Sequence, residues 1–172
     1  MESSGTLLID TPIPEAYWVE PGFLLAGPYP TPRWAHIASG RLPALLQAGI
    51  QLFVDLTEPG EAEPYADQLG EQAYHLRIPI GDFSTPTPDK MAAILNVLDE
   101  ALHRGWRVYL HCLGGIGRTG TVVGCYLVRG GLTGAQALER LQQLRANSAY
   151  AKSGSPETDM QRAMVLQWPV GQ

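Results

Sequence analysis

The sequence predicts an α/β fold in which a central, mainly parallel, twisted sheet of about five strands is flanked by helices. Short apolar runs typical of buried strands alternate along the chain with longer segments in which apolar residues recur at helical spacing. Glycine and proline mark the boundaries between these segments. The 172 residues contain no internal repeat and no low-complexity linker, which favours a single domain over residues 1–172.

Five segments are predicted to be strands because each is short, apolar and closed by turn residues. They are residues 17–20, 23–28, 51–56, 74–80 and 107–111, and residues 1–16 form an extended N-terminal segment ahead of them. Strands that alternate with helices pair in parallel when the helices cover both faces of the sheet. We therefore expect a mainly parallel sheet with both faces buried.

Helical spacing predicts five helices, over residues 31–47, 89–103, 118–129, 134–145 and 157–167. The helix over 89–103 has the clearest apolar stripe. Between these elements, the acidic stretch 58–70 predicts a loop with a short helix. A second loop, over residues 81–88, is rich in helix-breaking residues.

The composition excludes several classes of function. Apolar residues make up 45% of the chain and charged residues 17%, as in a water-soluble globular protein. The net charge of -5, without a basic cluster, argues against a nucleic-acid partner. No run approaches the roughly 20 apolar residues of a membrane span, and residues 1–5 lack the pattern of a secretory signal, so neither feature is expected. Two cysteines without a disulfide framework predict a reducing compartment, and so the cytoplasm.

The chemistry is concentrated in residues 108–121, where a buried strand turns through a glycine-rich loop into a helix. Backbone N–H groups of such a loop converge with the positive end of the following helix, and together they form a cradle for a phosphate ion. Glycine supplies the backbone conformations that the cradle requires. The cradle residues are Leu113, Gly114, Gly115, Ile116 and Gly117.

Two side chains at the ends of this loop supply the reactive groups. Cys112 lies at the mouth of the cradle, where the field that attracts phosphate also stabilises a thiolate, the form of cysteine that attacks phosphorus. Arg118 offers a planar fork that matches two phosphate oxygens. Thr119 follows it, and its hydroxyl is expected to donate to the Cys112 sulfur when that sulfur departs. His111 is expected to fix the loop from behind.

The leaving oxygen of a phosphomonoester needs a proton donor outside the cradle. Asp82 is the leading candidate because it lies thirty positions before Cys112, just after a predicted strand, on a proline-flanked loop. Asp89 is the alternate, although its place at the start of a helical stripe suits an N-cap or first-turn residue. Asp82 also has a rival interpretation as a loop aspartate that bonds its own turn. The same carboxylate would later activate water.

The run His111-Cys112-x-x-Gly115-x-Gly117-Arg118-Thr119-Gly120 resembles the signature of the cysteine-dependent protein-tyrosine and dual-specificity phosphatases, His-Cys-x5-Arg-Ser/Thr. The resemblance is greatest to the kinase-associated phosphatase type and its bacterial relatives, and it extends from about Phe23 to Trp168. Ile80-Gly81-Asp82 stands where tyrosine-specific members carry Trp-Pro-Asp, which favours the smaller dual-specificity type.

The resemblance implies a sheet flanked by helices, a phosphocysteine intermediate, a general-acid aspartate on a mobile loop, and no metal or other cofactor. Cys112, Arg118, Asp82 and Thr119 take the family roles, together with the loop amides. Residues 155–161 resemble a late segment near the active site of relatives, so Gln161 is a candidate for positioning the hydrolytic water.

The expected activity is hydrolysis of phosphotyrosine, and of phosphoserine or phosphothreonine, on a phosphoprotein or phosphopeptide. One alternative is a phosphatase of inositol phosphates or phosphoinositides, which the absence of lysine from residues 113–117 disfavours. Another is a catalytically weak module that binds phosphoproteins. Among the remaining residues, Cys125 is expected to fill the core, and His36, His75 and His103 show no metal-ligand spacing. Trp34 is a candidate for the rim of the pocket.

Overall fold

A computed structural model describes residues 9–32 and 40–172 of the chain. One five-stranded sheet carries the fold, with the strand order β1-β2-β5-β3-β4. Its strands are β1 (Tyr17–Glu20), β2 (Leu24–Gly27), β3 (Leu52–Asp55), β4 (Tyr74–Arg77) and β5 (Val108–His111). β1 pairs antiparallel with β2, and the other three pairings are parallel. The predicted mainly parallel sheet is therefore confirmed.

The register of the parallel strands aligns their last residues at one edge of the sheet. Gly27 and Asp55 both lie opposite His111, and Asp55 lies opposite Arg77. In parallel sheets, ligands bind beyond the carboxyl ends of the strands. The fold therefore places the segment after β5, which begins with Cys112, at the edge where a binding site is expected.

Helices cover both faces of the sheet, as predicted. Their bounds are α1 (Arg41–Gln47), α2 (Pro88–His103), α3 (Arg118–Arg129), α4 (Gly134–Arg145) and α5 (Asp159–Gln167), with a short 3-10 helix at Ala66–Gln68. Apolar side chains of α2, α3, α4 and α5 fill one core cluster, and those of α1 fill the other. Among the described helices, none combines the length and apolar character needed to cross a membrane.

Four segments differ from the sequence-based expectations by two residues or more. Thr31, Pro32 and Gly40 are not helical, so the helix predicted over 31–47 is observed only as α1, while residues 33–39, with Trp34 and His36, lie outside the described part. The strand predicted over 74–80 is observed only as β4, which ends at Arg77, although the N–H groups of Ile78 and Ile80 still donate to the carbonyls of Asp55 and Leu56.

The last helix and the N-terminal segment show the remaining differences. α5 begins two residues later than predicted because Thr158 caps it, accepting a hydrogen bond from the backbone N–H of Gln161. Of the segment expected to be extended, residues 1–8 lie outside the description. Residues 12–15 form a bend and turn in which the N–H of Ala16 donates to the carbonyl of Ile13.

Candidate active site

The catalytic loop, residues 112–118, leaves β5 at the carboxyl edge of the sheet. The backbone N–H of Gly115 donates to Cys112 Sγ at a donor to acceptor distance of 3.2 Å. Gly115 has a φ of 74°, and a Cβ there would lie within 2.6 Å of the Gly27 carbonyl oxygen and the Pro28 nitrogen. Only glycine fits this position without displacing backbone, so the loop reaches the sulfur because residue 115 has no side chain.

The amino end of α3 completes the cradle. Gly117 is the N-cap residue, and the helix runs twelve residues from Arg118. Its first turn presents backbone N–H groups without helical partners, and the helix dipole adds positive potential at the same place. The Gly117 carbonyl accepts hydrogen bonds from both the N–H and the hydroxyl of Thr121, which fixes the entry of the chain into the helix. The amino end of α3 therefore follows directly on the loop that carries Cys112, at the carboxyl edge of the sheet.

Arg118 is 2% exposed, and carboxylates and a carbonyl hold its guanidinium. Nη1 donates to both carboxylate oxygens of Glu61, at 3.0 and 2.8 Å, and to the Ile80 carbonyl at 2.9 Å. Nη2 lies 3.3 Å from Asp82 Oδ1. Burial by itself lowers the pKa of Arg118, but the hydrogen bond to Glu61 and the nearby negative groups raise it. The guanidinium is therefore a fixed positive charge beside Cys112.

Asp82 and Arg118 are thus brought together from 36 positions apart in the sequence. The Asp82 side chain is 43% exposed, and its Oδ1 also accepts the N–H of Phe83 at 3.0 Å. The turn bond of the rival interpretation is therefore present, and it coexists with the contact to Arg118. Asp89 lies in the first turn of α2, whose N-cap is Thr87, as its sequence position suggested.

Gln161 lies against the catalytic loop, but its side chain is occupied. Oε1 accepts the backbone N–H groups of Glu157 and Thr158, each at 3.1 Å, and Nε2 donates to the Ser84 carbonyl at 3.3 Å. Both side-chain atoms lie 3.1 Å from where a Cβ at Gly117 would be. Gln161 therefore joins α5 to the loop that carries Asp82, directly beside the cradle.

The remaining loop residues hold the backbone of the cradle. The Leu113 carbonyl accepts the N–H of Tyr29 at 3.0 Å, and the Ile116 carbonyl accepts the hydroxyl of Ser155 at 2.6 Å. Gly114 is exposed, and no described atom lies within 4 Å of a Cβ placed there. Only part of the predicted cradle therefore requires glycine for steric reasons.

Thr119 and Cys125 follow the catalytic loop in α3. Thr119 is buried, and its Oγ1 has no hydrogen-bond partner among the described residues, so the expected bond to Cys112 Sγ is not formed in this structure. Cys125 is fully buried in the core cluster, as predicted, and burial raises its pKa to about 12. Cys125 is therefore a neutral thiol at physiological pH.

His111 supports the loop from behind, where the sequence placed it. Its Nδ1 lies 3.0 Å from the Cys112 carbonyl oxygen, and its Nε2 lies 2.6 Å from the Tyr65 hydroxyl. A carbonyl can only accept, so Nδ1 carries the proton and Nε2 accepts from Tyr65. Burial lowers the pKa of His111 to about 4. The imidazole is therefore neutral at pH 7, which suits a structural support.

Asp55 is a buried carboxylate next to His111 in the sheet. Its oxygens accept from the N–H and hydroxyl of Thr57, at 2.9 and 2.6 Å, and contact His75 Nε2 at 2.9 Å and Arg77 Nη2 at 3.1 Å. Burial alone would raise the pKa of Asp55, but the hydrogen bonds from His75 and Thr57 and the nearby His111 hold it well below its usual range. Asp55 is therefore charged in the folded protein.

Sequence reasoning missed Glu61 and Tyr65 as parts of the site. Glu61 lies in an acidic stretch in which several carboxylates look alike, and Tyr65 lies in no motif. Their partners Arg118 and His111 are 57 and 46 positions away. The predicted parallel sheet gave only a general signal, because it aligns the carboxyl ends of its strands at one edge without telling which strands are neighbours.

Residues 30–132 match the family model described as "Polymorphic toxin system, DSP-PTPase phosphatase". The match covers more than half of the chain and includes the catalytic loop. The chain therefore belongs to this family of DSP-PTPase phosphatases. The expected membership in the protein-tyrosine and dual-specificity phosphatases is thereby confirmed.

Individual relatives agree with this assignment. The chain is 34% identical over 106 residues to protein 067L of Invertebrate iridescent virus 3, over 56% of this chain and 39% of that protein. It is 31% identical over 107 residues to the phosphatidylglycerophosphate phosphatase PTPMT2 of Arabidopsis thaliana, over 60% and 47%. The chain thus spans less than half the length of these two relatives.

Solved structures share the fold. The active form of Tk-PTP superposes with a TM-score of 0.74 at 27% identity, over 88% of this chain and 94% of that one. Kinase-associated phosphatase superposes with a TM-score of 0.69 at 20% identity, over 88% and 90%. The second likeness concerns the fold alone. Both agree with the expected α/β architecture.

Proposed function

We propose that the chain hydrolyses phosphomonoesters on proteins through a phosphocysteine intermediate at Cys112. The observation that carries this proposal is the convergence of three groups at the carboxyl edge of the sheet. Cys112 Sγ accepts the N–H of Gly115, and Arg118 and Asp82 lie 3.3 Å apart at the same site. A nucleophile, a phosphate-binding cation and a proton donor are the groups that the reaction requires.

In the first step the Cys112 thiolate attacks phosphorus, the sulfur to phosphorus bond forms, and the phosphorus to oxygen bond of the ester breaks. Arg118 and the loop N–H groups bind the non-bridging oxygens, whose negative charge they stabilise as it redistributes. Protonated Asp82 gives its proton to the leaving oxygen, so the product leaves as a neutral alcohol or phenol.

In the second step water attacks phosphorus, Asp82 takes up its proton, and the sulfur to phosphorus bond breaks. Inorganic phosphate leaves, and Cys112 returns to the thiolate. Thr119 would assist by donating its hydroxyl to the departing sulfur, which is supported by the buried Oγ1 having no other partner among the described residues. Gln161 lies beside Gly117 and is the candidate for orienting the water, a role in which its Oε1 or Nε2 would exchange a present bond to Glu157, Thr158 or Ser84 for one to water.

Replacing the nucleophile tests the mechanism directly. We expect Cys112→Ser to reduce turnover of p-nitrophenyl phosphate to the background rate while inorganic phosphate still binds by calorimetry. Cys125→Ala is the matched control, because Cys125 lies in the core and should leave turnover intact. In the wild-type protein, the positive result is a phosphorylated adduct of 80 Da on Cys112, trapped by rapid quench during turnover and located by mass spectrometry. Wild-type turnover by Cys112→Ser would disprove the mechanism.

The two aspartates separate the proposed proton donor from its alternate. Loss of a general acid costs about 10²- to 10⁴-fold in rate. We expect Asp82→Asn to show such a loss with phosphotyrosine peptides and a smaller one with aryl phosphates whose leaving group is already acidic. Asp89→Asn, in the first turn of α2, should stay within twofold of wild type. The reverse pattern would assign the role to Asp89.

A phosphoprotein substrate is supported by the charges around the cradle. Glu61 and Asp82 contact Arg118, and Glu157 Oε1 lies 3.0 Å from the position of a Cβ at Gly117. These carboxylates repel a second phosphate on the same substrate, which disfavours polyphosphorylated inositol rings. The two free cysteines are compatible with a reducing compartment, and we assign the reaction to the cytoplasm.

A lipid substrate is the second candidate. PTPMT2 is named for phosphatidylglycerophosphate, and a PTPMT1 structure contains PI(5)P, although the latter is only 16% identical and shares the fold alone. Turnover of a phosphotyrosine peptide, PI(5)P and phosphatidylglycerophosphate at equal concentration decides between them. If kcat/KM were higher for either lipid than for the phosphotyrosine peptide, the proposed substrate would be a lipid and not a protein. Phosphate binding without any turnover would identify the chain as a phosphoprotein-binding module.

A further inference from the structure

The β3 loop, residues 56–65, leaves the sheet after β3 and is held at both ends by buried polar groups. At its start, Asp55 accepts the N–H and the hydroxyl of Thr57. Asp55 is itself held by His75 and Arg77 of the neighbouring strand β4. Because this carboxylate is wholly buried and bonded on both oxygens, the first turn of the loop has a fixed position relative to the sheet.

The far end of the loop is held by a second buried bond. Tyr65, 1% exposed, donates its hydroxyl to His111 Nε2 at 2.6 Å. His111 in turn donates from Nδ1 to the Cys112 carbonyl, and Asp55 Oδ1 lies 4.0 Å from that nitrogen. The negative charge of Asp55 favours the tautomer with the proton on Nδ1, which leaves Nε2 free to accept from Tyr65.

Between these two anchors, Glu61 reaches the catalytic loop. Its Oε2 accepts the N–H of Glu58 at 3.0 Å, which fixes the carboxylate on its own turn, and both oxygens bind Arg118 Nη1. With Ile80 O also on Nη1, that corner of the guanidinium is occupied. The guanidinium edge formed by Nε and Nη2 is then the one that can donate two parallel hydrogen bonds to phosphate.

We propose that Tyr65 and Asp55 are positioning residues that orient Arg118 through the β3 loop and Glu61. His111 is linked to both Cys112 and Arg118. It bonds the Cys112 carbonyl directly, and it reaches Arg118 through Tyr65, the β3 loop and Glu61. The distance between nucleophile and cation is thus set from one buried imidazole. This inference rests on the proposed function, in which Arg118 grips the transferred phosphoryl group.

Removing one anchor shifts Glu61, and with it Arg118, without removing any group that touches substrate. Displacements of about 1 Å at a catalytic group can cost up to about 10²-fold in rate. The distinguishing property of the proposal is that the anchors act on the reaction by way of Glu61 and Arg118, and not by way of His111 and the Cys112 carbonyl. Their effect on the reaction should therefore vanish once Glu61 can no longer hold Arg118.

A double-mutant cycle tests this property. We compare Tyr65→Phe, Glu61→Gln and the double variant, with Tyr126→Phe as the control because its hydroxyl bonds Glu20 on the surface. The readouts are kcat/KM for p-nitrophenyl phosphate and the Kd of inorganic phosphate by calorimetry, both well below the melting temperature. We expect about a tenfold loss in kcat/KM and a weaker phosphate Kd for each single variant. The double variant should match Glu61→Gln within twofold.

Two results overturn the proposal. One is a double variant whose losses multiply, because Tyr65 would then act independently of Glu61. The other is a Tyr65→Phe variant that melts earlier but keeps wild-type kcat/KM and phosphate affinity, because the bond would then serve folding alone. Thr57→Val tests the first anchor without removing the buried carboxylate of Asp55, and it should show the same dependence on Glu61.

The phosphate Kd separates this inference from the proposed reaction. If the wild-type protein binds phosphate but turns over no phosphomonoester, the proposed function fails. The phosphate Kd values of the Tyr65→Phe, Glu61→Gln and double variants then still test whether Tyr65 orients Arg118 through Glu61. If phosphate affinity is unaffected by Glu61→Gln and by Tyr65→Phe, the anchors fail even where turnover is intact. A wild-type protein that neither binds phosphate nor turns over substrate rejects both.

Discussion

The catalytic loop and the β3 loop meet at Arg118, but they obtain their shapes in different ways. Within the catalytic loop, the bond from Gly115 N–H to Cys112 Sγ and the start of α3 at Arg118 form the cradle from contiguous residues, and Tyr29 and Ser155 hold two of its carbonyls from outside. The β3 loop depends on buried side chains of the neighbouring strands, which bond Thr57 and Tyr65. The chemistry is thus encoded locally, and its alignment is encoded by long-range contacts.

This difference has a physical origin. A strand, a glycine turn and a helix terminus are contiguous in the chain, so the anion cradle forms wherever that short segment folds correctly. A loop of ten residues between anchored ends has many conformations, and ordering it costs entropy that its anchors must offset. Substitutions in the two loops should therefore differ in kind, and the following predictions rank their effects.

The largest effect is expected at Arg118 itself. Arg118→Lys keeps the charge but loses the planar fork that can bind Glu61 through Nη1 and phosphate through its other nitrogens, so we expect kcat/KM to fall by about 10³-fold. Arg129→Lys is the matched control, because Arg129 bonds Asn96 and Asp99 away from the site and should stay within twofold. Steady-state kinetics with p-nitrophenyl phosphate measures both. Near-wild-type activity of Arg118→Lys would mean that charge alone suffices.

The next effect separates two adjacent glycines of the catalytic loop. Gly115→Ala places a methyl group against the Gly27 carbonyl at a φ of 74°, whereas Gly114→Ala enters open space among the described residues. We expect Gly115→Ala to lose about 10²-fold in kcat/KM and about 1–3 kcal/mol in unfolding free energy. Gly114→Ala should change neither measurably. Urea unfolding and steady-state kinetics on both variants check the pair, and equal behaviour would contradict the steric argument.

The reach of sequence reasoning follows the same division. Cys112, Arg118 and the glycine loop were predicted because they are contiguous, and Asp82 because it follows a predicted strand on a proline-flanked loop thirty positions before Cys112. Glu61 was not predicted, because the sequence does not show which of the acidic residues in 58–70 faces Arg118. That depends on the turn in which the Glu61 carboxylate accepts the N–H of Glu58. The order of the strands, which places Asp55 beside His111, also lies beyond periodicity, since pairing partners are chosen by three-dimensional packing.

The pH dependence of the unfolding free energy tests the protonation state of His111, which bonds both the Cys112 carbonyl and Tyr65 of the β3 loop. The pKa of His111 is about 4 in the folded protein against 6.5 for a free histidine, so between these values only the unfolded chain takes up the proton. Stability is therefore full above pH 6.5 and falls as pH drops towards 4, by up to about 3 kcal/mol. Asp55 also contributes to the free energy of unfolding, because its pKa is lowered on folding. That contribution is lost only as the pH falls below about 4, the ordinary pKa of an aspartate.

Urea unfolding at pH 7.5, 5.5 and 4.5 measures this loss. We expect His111→Asn, which retains a donor in place of Nδ1, to be less stable at pH 7.5 but to lose most of the slope between pH 6.5 and 4. His103→Gln, at the exposed end of α2, should retain the wild-type slope. An unchanged slope in His111→Asn would assign the titration to another group and remove the argument for a neutral imidazole behind Cys112.

The smallest effect is expected at Glu63, two positions from Glu61 in the same loop. The Glu63 side chain is exposed, and its carbonyl oxygen, which substitution does not alter, is what accepts the Tyr29 hydroxyl at 3.0 Å. Glu63→Gln should therefore keep kcat/KM within twofold, because an exposed charge of this kind contributes little in the presence of salt. Glu61→Gln removes the same charge and should lose about tenfold. If both variants lost equally, the general negative potential of the loop would matter, and the specific bond from Glu61 to Arg118 would not.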